Sequence, residues 1–190
     1  MIHVLTNTYH LHPVPAAARV ELDMGCGKGR FTLALAQRYP ERVVLGSDVM
    51  FGRLRRLEAK REKLGLDNLS LLRAESGQLV SFQLPPASVD RLHLLCPDPW
   101  PKARHQVRRL VCTEFLCRLR RILKPGAILH LSTDHRPYYD DWLQLLAAVP
   151  FYQPSTEGID DIRDLKTDFE LQWNAMGKEV NHLCYRVVDE

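Results

Sequence analysis

Five short apolar runs interleaved with helical stretches constrain this chain more than any other feature. The runs are Val20-Glu21-Leu22, Val43-Val44-Leu45, Leu69-Ser70-Leu71-Leu72, Leu92-His93-Leu94-Leu95 and Ile128-Leu129-His130-Leu131. Their length and near-continuous hydrophobicity suit strands covered on both faces, as in a parallel sheet. Helical spacing falls between them, over Phe31 to Arg38, Gly52 to Leu64, Gln106 to Leu123 and Arg136 to Ala148. This alternation predicts an α/β fold with a mostly parallel, doubly wound sheet and helices on both faces. In the third helix, Val107, Leu110, Val111, Phe115, Leu119 and Ile122 form an apolar stripe expected to face the core. Lys124-Pro125-Gly126 is expected to end that helix, and Pro154 to Lys166 reads as a mobile polar loop.

Size and composition narrow the class. The chain has 190 residues, of which 45% are hydrophobic and 26% charged, enough for one folded domain over 1–190 and too apolar for a disordered tail. Within it, 1–18 reads as a short amino-terminal segment and 151–190 as a less regular part. No run is long and apolar enough to cross a bilayer, and Met1-Ile2-His3-Val4 lacks the opening of a signal peptide, so a cytoplasmic location is expected. The cysteines, Cys26, Cys96, Cys112, Cys117 and Cys184, are odd in number and show no Cys-x-x-Cys spacing, which points to reduced thiols. His10 and His12 have no further ligands nearby, so no metal is expected.

The formal net charge of +3 decides little, but its placement is informative. Lys102, Arg104, Arg108, Arg109, Arg118, Arg120, Arg121 and Lys124 face one acid, Glu114, over a short stretch. A second basic run holds Arg53, Arg55, Arg56, Lys60, Arg61 and Lys63, whereas the tail from Thr156 is acidic. Such clustering favours a polyanionic partner over plain solvated helix faces.

The candidate site is a glycine loop and a set of acids. Asp23-Met24-Gly25-Cys26-Gly27-Lys28-Gly29 leaves a predicted strand and enters a predicted helix, with glycines where backbone turns and approaches a ligand. Its G-x-G-x-G spacing departs from the dinucleotide pattern. Asp23, Asp48, Glu75, Asp98 and Asp134 stand at or just past the carboxyl ends of the five predicted strands, where open α/β sheets bind ligands. Each alone could be a helix cap; massed together they would repel a pyrophosphate and suit S-adenosylmethionine, with its sulfonium and ammonium. On this reading Asp48, ~20 residues past the loop, accepts from ribose hydroxyls. Asp23 faces the cofactor's amino-acid end, and Glu75 accepts from the adenine amino group.

Pro97-Asp98-Pro99-Trp100-Pro101-Lys102, continuing through Arg104 and His105 to Arg108 and Arg109, resembles the signature of the tRNA (guanine-N7-)-methyltransferase family. The resemblance runs from Asp23 to Glu170 and includes the glycine loop, Asp48, Glu75, Thr133-Asp134 and Thr167-Asp168-Phe169-Glu170. It implies a Rossmann-like S-adenosylmethionine-dependent fold and methylation of guanine N7 at position 46, in the variable loop of tRNA. By the same resemblance Asp23, Asp48, Glu75 and Asp98 lie on the cofactor side, with Asp98 also catalytic. Lys102, Asp134, Thr167, Asp168, Phe169 and Glu170 lie on the tRNA side. The chain departs from the family at three places. Asp168 stands where the family has lysine, Asp134-His135-Arg136-Pro137-Tyr138 replaces Asp-Trp-x-Pro-Tyr, and the end after Glu170 matches poorly while the stretch before Asp23 is shorter than usual, so a basic amino-terminal arm is expected to be absent. Weaker tRNA binding or a shifted target would follow.

Guanine N7 carries a lone pair and no proton, so its methylation needs alignment and not a general base. Asp98 is therefore expected to accept from the guanine N1-H and N2-H₂ edge and to stabilise charge arriving on the purine. Trp100 either stacks on the base or anchors the loop. Lys102, Arg104, Arg108 and Arg109 are expected to contact phosphates. Three other readings stay open: an exocyclic-amine RNA methyltransferase, although Asp98-Pro99-Trp100 lacks that loop's second proline; a tRNA-binding homologue with reduced or lost catalysis; and a nicotinamide oxidoreductase, opposed by the glycine spacing and the acids. Either a monomer or a homodimer fits.

Overall fold

An apolar strand sealed on both faces needs a neighbour on each side, and Val20–Met24 has them. This strand, β2, is buried along its whole length. In the computed structural model, which describes residues 1–5 and 12–188, it pairs in parallel with β3 (Val43–Asp48) and β5 (Val89–Leu95). The sheet continues past β3 through β4 (Leu69–Arg73) to β1 (Ile2–Val4), and past β5 through β6 (Leu123–Thr133) and β8 (Asn181–Val187) to β7 (Tyr152–Pro154). The order is β1-β4-β3-β2-β5-β6-β8-β7, and the pairings made by β8 are antiparallel. Strand order reverses between β2 and β5, so a crevice opens at their carboxyl ends.

Helices cover both faces, as the alternation predicts. Helices α1 (Arg30–Arg38) and α2 (Phe51–Leu64) bury Phe31, Leu35, Leu54 and Leu57 on one face, joined by Ile159 and Ile162. On the other, α3 (Ser76–Gln78) runs into a π-helical turn over Leu79–Gln83, beside α4 (Thr113–Ile122) and α5 (Arg136–Ala147). Helix α6 (Asp168–Ala175) precedes β8 and has only Glu170 buried.

Gly29 shows how tightly the loop after β2 is packed. It has φ +78°, and a Cβ built there would lie 2.2 Å from a Leu57 methyl of α2. The third glycine thus seats α1 against α2, a close approach available to glycine alone.

Several sequence expectations need correction. The third helix begins at Thr113 and not at Gln106, because Ala103–Arg108 is a separate 3-10 turn. Val107 is 89% exposed and leaves the core stripe, while Val111, Phe115, Leu119 and Ile122 keep their places. Helix α4 ends at Ile122, just ahead of Lys124-Pro125-Gly126 as expected, but these residues already lie within β6. There the register against β5 shifts, with Val89 opposite Leu123 but Arg91 opposite Ile128, and the extra residues bulge out with Gly126 at φ +76°. The stretch 154–166 is no free loop: it contains the end of β7 and a 3-10 turn, buries Ile159 and Ile162, and sends Asp161 to Arg91 at 2.7 Å. The described part of 151–190 is regular, supplying β7, α6 and β8. His10 lies outside the described residues; His12 is buried, with its ring edge against His3. All five cysteines are unbridged.

Candidate active site

The crevice at the reversal point is a cavity of about 270 Å³ lined by Gly25, Arg53, Ser76, Asp98, Trp100 and Arg108 among others. Parallel β2 and β5 end beside it, so the glycine loop and the Pro97–Pro101 segment are delivered to one place by pairing alone. Gly25, Gly27 and Gly29 have φ of +78°, +57° and +78°, which lets the backbone fold back over the strand end. Asp48 braces this loop: it accepts from Gly27 N at 3.0 Å and Met50 N at 2.7 Å, with the Arg53 guanidinium 3.6 Å away.

Asp23 lies beneath the loop, buried and hydrogen-bonded by the Thr32 hydroxyl. Burial pushes its carboxyl up to about 7; the Thr32 hydrogen bond opposes this and the nearby Asp48 charge adds to it. Among the described residues no basic side chain pairs with Asp23. Asp48 has Arg53 beside it, whereas Asp23 is buried without a cation of its own.

The loop past β5 stores backbone strain. Cys96 and Trp100 have φ of +51° and +41°, costly for side chains of their size at about 1–3 kcal/mol each. Three prolines between and beside them limit relaxation. Asp98 is exposed on the cavity wall, and the Trp100 ring carries the Arg108 guanidinium 5.0 Å from its centroid.

Asp134 and Glu170 converge on the same end of the sheet. Burial pushes the Cys96 thiol up to about 12, a Ser132 hydrogen bond opposes that, and the Asp134 and Glu170 charges add to it. Thr167 caps α6 by accepting from Glu170 N at 2.9 Å, whereas Asp168 and Phe169 are exposed. Glu75 stands apart. It is exposed, and its two oxygens accept from Gly77 N at 2.9 Å and Gln78 N at 2.8 Å, so it caps its own short helix beside the cavity.

The basic run divides into two groups. Lys102, Arg104 and Arg108 are exposed on or next to the 3-10 turn. Arg109 is turned inward and corrects the expectation of a phosphate contact. Its side chain is 9% exposed, donates to Pro99 O at 2.8 Å, pairs with Asp141 and lies over the Tyr138 ring. Arg121 likewise bonds Leu84 O at 2.8 Å, and Lys124 bonds Asp90 at 2.7 Å. These cations hold structure together and are not available to a ligand.

Sequence reasoning missed a buried polar chain crossing the sheet. Glu21 on β2 touches His93 on β5, which touches His130 on β6, which touches His182 on β8, which touches Glu170. The signal was present: Glu21, His93 and His130 each interrupt an otherwise apolar strand, and a buried polar group must find a partner. A second cavity, of about 300 Å³, opens at the other end of the strands among Arg19, Arg42, Asp90, Arg91 and Glu157. Its mixed charges and its place away from the carboxyl ends set it apart from the crevice.

Comparison with known proteins agrees with this geometry. A family model described as "Putative methyltransferase" matches residues 17–183. A tRNA (guanine-N(7)-)-methyltransferase of Nitrosospira multiformis is 33% identical over 168 residues, covering 87% of this chain and 73% of that protein. This chain belongs to the tRNA (guanine-N(7)-)-methyltransferase family. A second relative of the same name, from Paracidovorax citrulli, is 34% identical over 175 residues, covering 90% of this chain and 70% of its own length. The crystal structure of 16S rRNA methyltransferase KamB superposes with a TM-score of 0.68 at 21% identity, over 92% of this chain and 90% of that one. That likeness supports the methyltransferase fold.

Proposed function

We propose that this chain methylates N7 of guanine at position 46 of tRNA, using S-adenosylmethionine. The observation that carries the reading is that Gly25 and Asp98 line one cavity at the β2/β5 reversal, with the cation-free Asp23 below the same loop. That donor set fits a cationic cofactor: Asp23 meets positive charge at the amino-acid end, Asp48 keeps acceptor capacity for ribose hydroxyls, and Gly25 to Gly29 leave room for close approach. Glu75, tied to its own helix, offers the lone pairs left over to the adenine edge. S-adenosylmethionine, when bound, supplies an electrophilic methyl group.

The chain's own residues do the rest. Asp98 is exposed on the cavity wall in a loop that strain and proline hold in one shape, so its carboxylate can meet the N1-H and N2-H₂ edge of an extruded guanine. N7 needs no deprotonation, and Asp98 acts by orientation and by stabilising positive charge on the purine. Trp100 and Arg108 form a platform at the mouth for stacking. Lys102, Arg104 and Arg108 take phosphates, and Asp134 with the exposed Asp168 and Phe169 face the nucleotide from the β6 side, while the buried Glu170 and the capping Thr167 hold α6 and make no direct contact. The exocyclic-amine alternative lacks its second proline and has no comparable support.

Asp98→Asn and Asp98→Ala test the central role. Both are expected to bind S-adenosylmethionine with wild-type affinity by calorimetry while losing methyl transfer to unmodified tRNA by about 10²-fold. Unchanged turnover would remove Asp98 from the mechanism.

A further inference from the structure

The buried chain from Glu21 to Glu170 has a proton count that its three imidazoles alone do not meet. Glu21 Oε2 lies 3.0 Å from His93 Nε2, and His93 Nδ1 lies 3.0 Å from His130 Nδ1. His130 Nε2 lies 2.9 Å from His182 Nδ1, and His182 Nε2 lies 3.1 Å from Glu170 Oε1. Each contact needs one hydrogen between its two heavy atoms. Three neutral imidazoles bring three hydrogens to four contacts, so with both carboxylates ionised one ring must carry a second proton.

The surroundings decide which ring. Burial disfavours the charged form of His93, and of His130 more strongly, where the neighbouring His93, His182 and Arg91 add to the effect. Glu21 stays ionised: burial opposes this, but His93 and Arg91 hold its carboxyl down at about 2. Glu170 is likewise held below its usual range, burial being outweighed by hydrogen bonds from His182 and Lys166. The extra proton is left to His182, whose side chain is 26% exposed and points one nitrogen at Glu170. The groups facing it are His130 from β6, Glu170 from α6, and Arg163 and Lys166 from the segment before α6. Lys166 Nζ donates to the same Glu170 oxygen at 2.6 Å, so the carboxylate sits between two cations.

Glu170 is the one buried residue of α6, a helix that otherwise exposes Phe169 and Leu171 and is followed by the exposed Met176. The one partly buried side chain of α6 is Trp173, whose ring meets Phe169 edge-on within the same helix. We propose that His182 is a positioning residue: as an imidazolium, it holds Glu170 and so sets the start of α6, with Asp168 and Phe169, against the crevice for the RNA acceptor. This rests on the methyltransferase reading given above.

Ring-nitrogen NMR on the full chain near neutral pH reads the proton count directly. The expected spectrum shows both His182 nitrogens protonated and His93 and His130 each with one bare nitrogen; three neutral rings would overturn the proposal. In Glu170→Gln the amide supplies the missing donor, so His182 should become neutral, and an unchanged imidazolium would contradict the count. For the positioning role, His182→Asn is expected to weaken binding of unmodified tRNA about tenfold with S-adenosylmethionine affinity unchanged. In turnover the loss should fall on KM for tRNA and leave kcat unchanged, and equal tRNA affinity in the two proteins would refute positioning. A wild-type chain that binds no tRNA would sink the RNA assignment, while the ring-nitrogen spectrum would still decide the proton count.

Discussion

Asp23 concentrates the energetics of the site in one side chain. Its folded carboxyl titrates at about 7, against 3.8 for the ordinary group. Stability from keeping it neutral is fully present below about pH 3.8 and is lost as pH rises through about 7. The loss amounts to on the order of 4 kcal/mol by linkage, an upper figure for a buried group. Asp23→Asn should therefore unfold at higher denaturant than wild type at pH 8 and alike at pH 4, in parallel urea titrations. Cationic cofactor binding should release a proton below pH 7, seen as a dependence of calorimetric heat on buffer ionisation enthalpy. The place of Asp23 beneath the loop was legible because it ends an apolar run just before G-x-G-x-G. The histidines were not, because a lone His in an apolar strand gives no hint of which neighbour the sheet order will place beside it.

At the scale of elements, the five central parallel runs hold no surprise, and the loops and outer strands do. All five strand runs are strands in the structure, extended at their ends by residues such as Asp48 and Arg73 whose polarity hid them. The third helix misled because Val107 keeps helical spacing with Val111, yet lies on a separate turn. Val107→Ser should leave the melting temperature nearly unchanged, whereas Leu119→Ala, fully buried on α4, should cost about 2–5 kcal/mol. Gly29→Ala is expected to destabilise by about 1–3 kcal/mol from its positive φ and from contact with Leu57. Leu57→Ala should recover the packing part of that destabilisation, and additive effects in the double variant would show that the two residues do not meet. Strands β1 and β7 escaped notice because three-residue edge strands carry little periodic signal, and β8, between β6 and β7, because its polarity is mixed.

Over the whole molecule, charge is sorted by depth. Arg91, Arg109, Arg121 and Lys124 are spent on internal bonds, while Lys102, Arg104 and Arg108 stay outside beside the crevice. A sequence count cannot separate the inner cations of this basic run from the outer ones, since all are Lys or Arg. Replacing each of the outer three by Ala should lower the salt slope of tRNA binding by about one unit for every phosphate no longer neutralised. Arg109→Ala should instead lower the melting temperature and leave that slope unchanged. No helix among the described residues is long and apolar enough to cross a membrane. The family signature, the reversal-point crevice and the acid pair meet in one claim, that a crevice walled by Asp98, with Asp23 and Asp48 at the adjoining glycine loop, presents a methyl donor to guanine N7. Incubation of the wild-type chain with methyl-labelled S-adenosylmethionine and unmodified tRNA, followed by nucleoside mapping, tests it most directly. The account predicts label in 7-methylguanosine at position 46; label on an exocyclic amine, or no label in RNA, would contradict it.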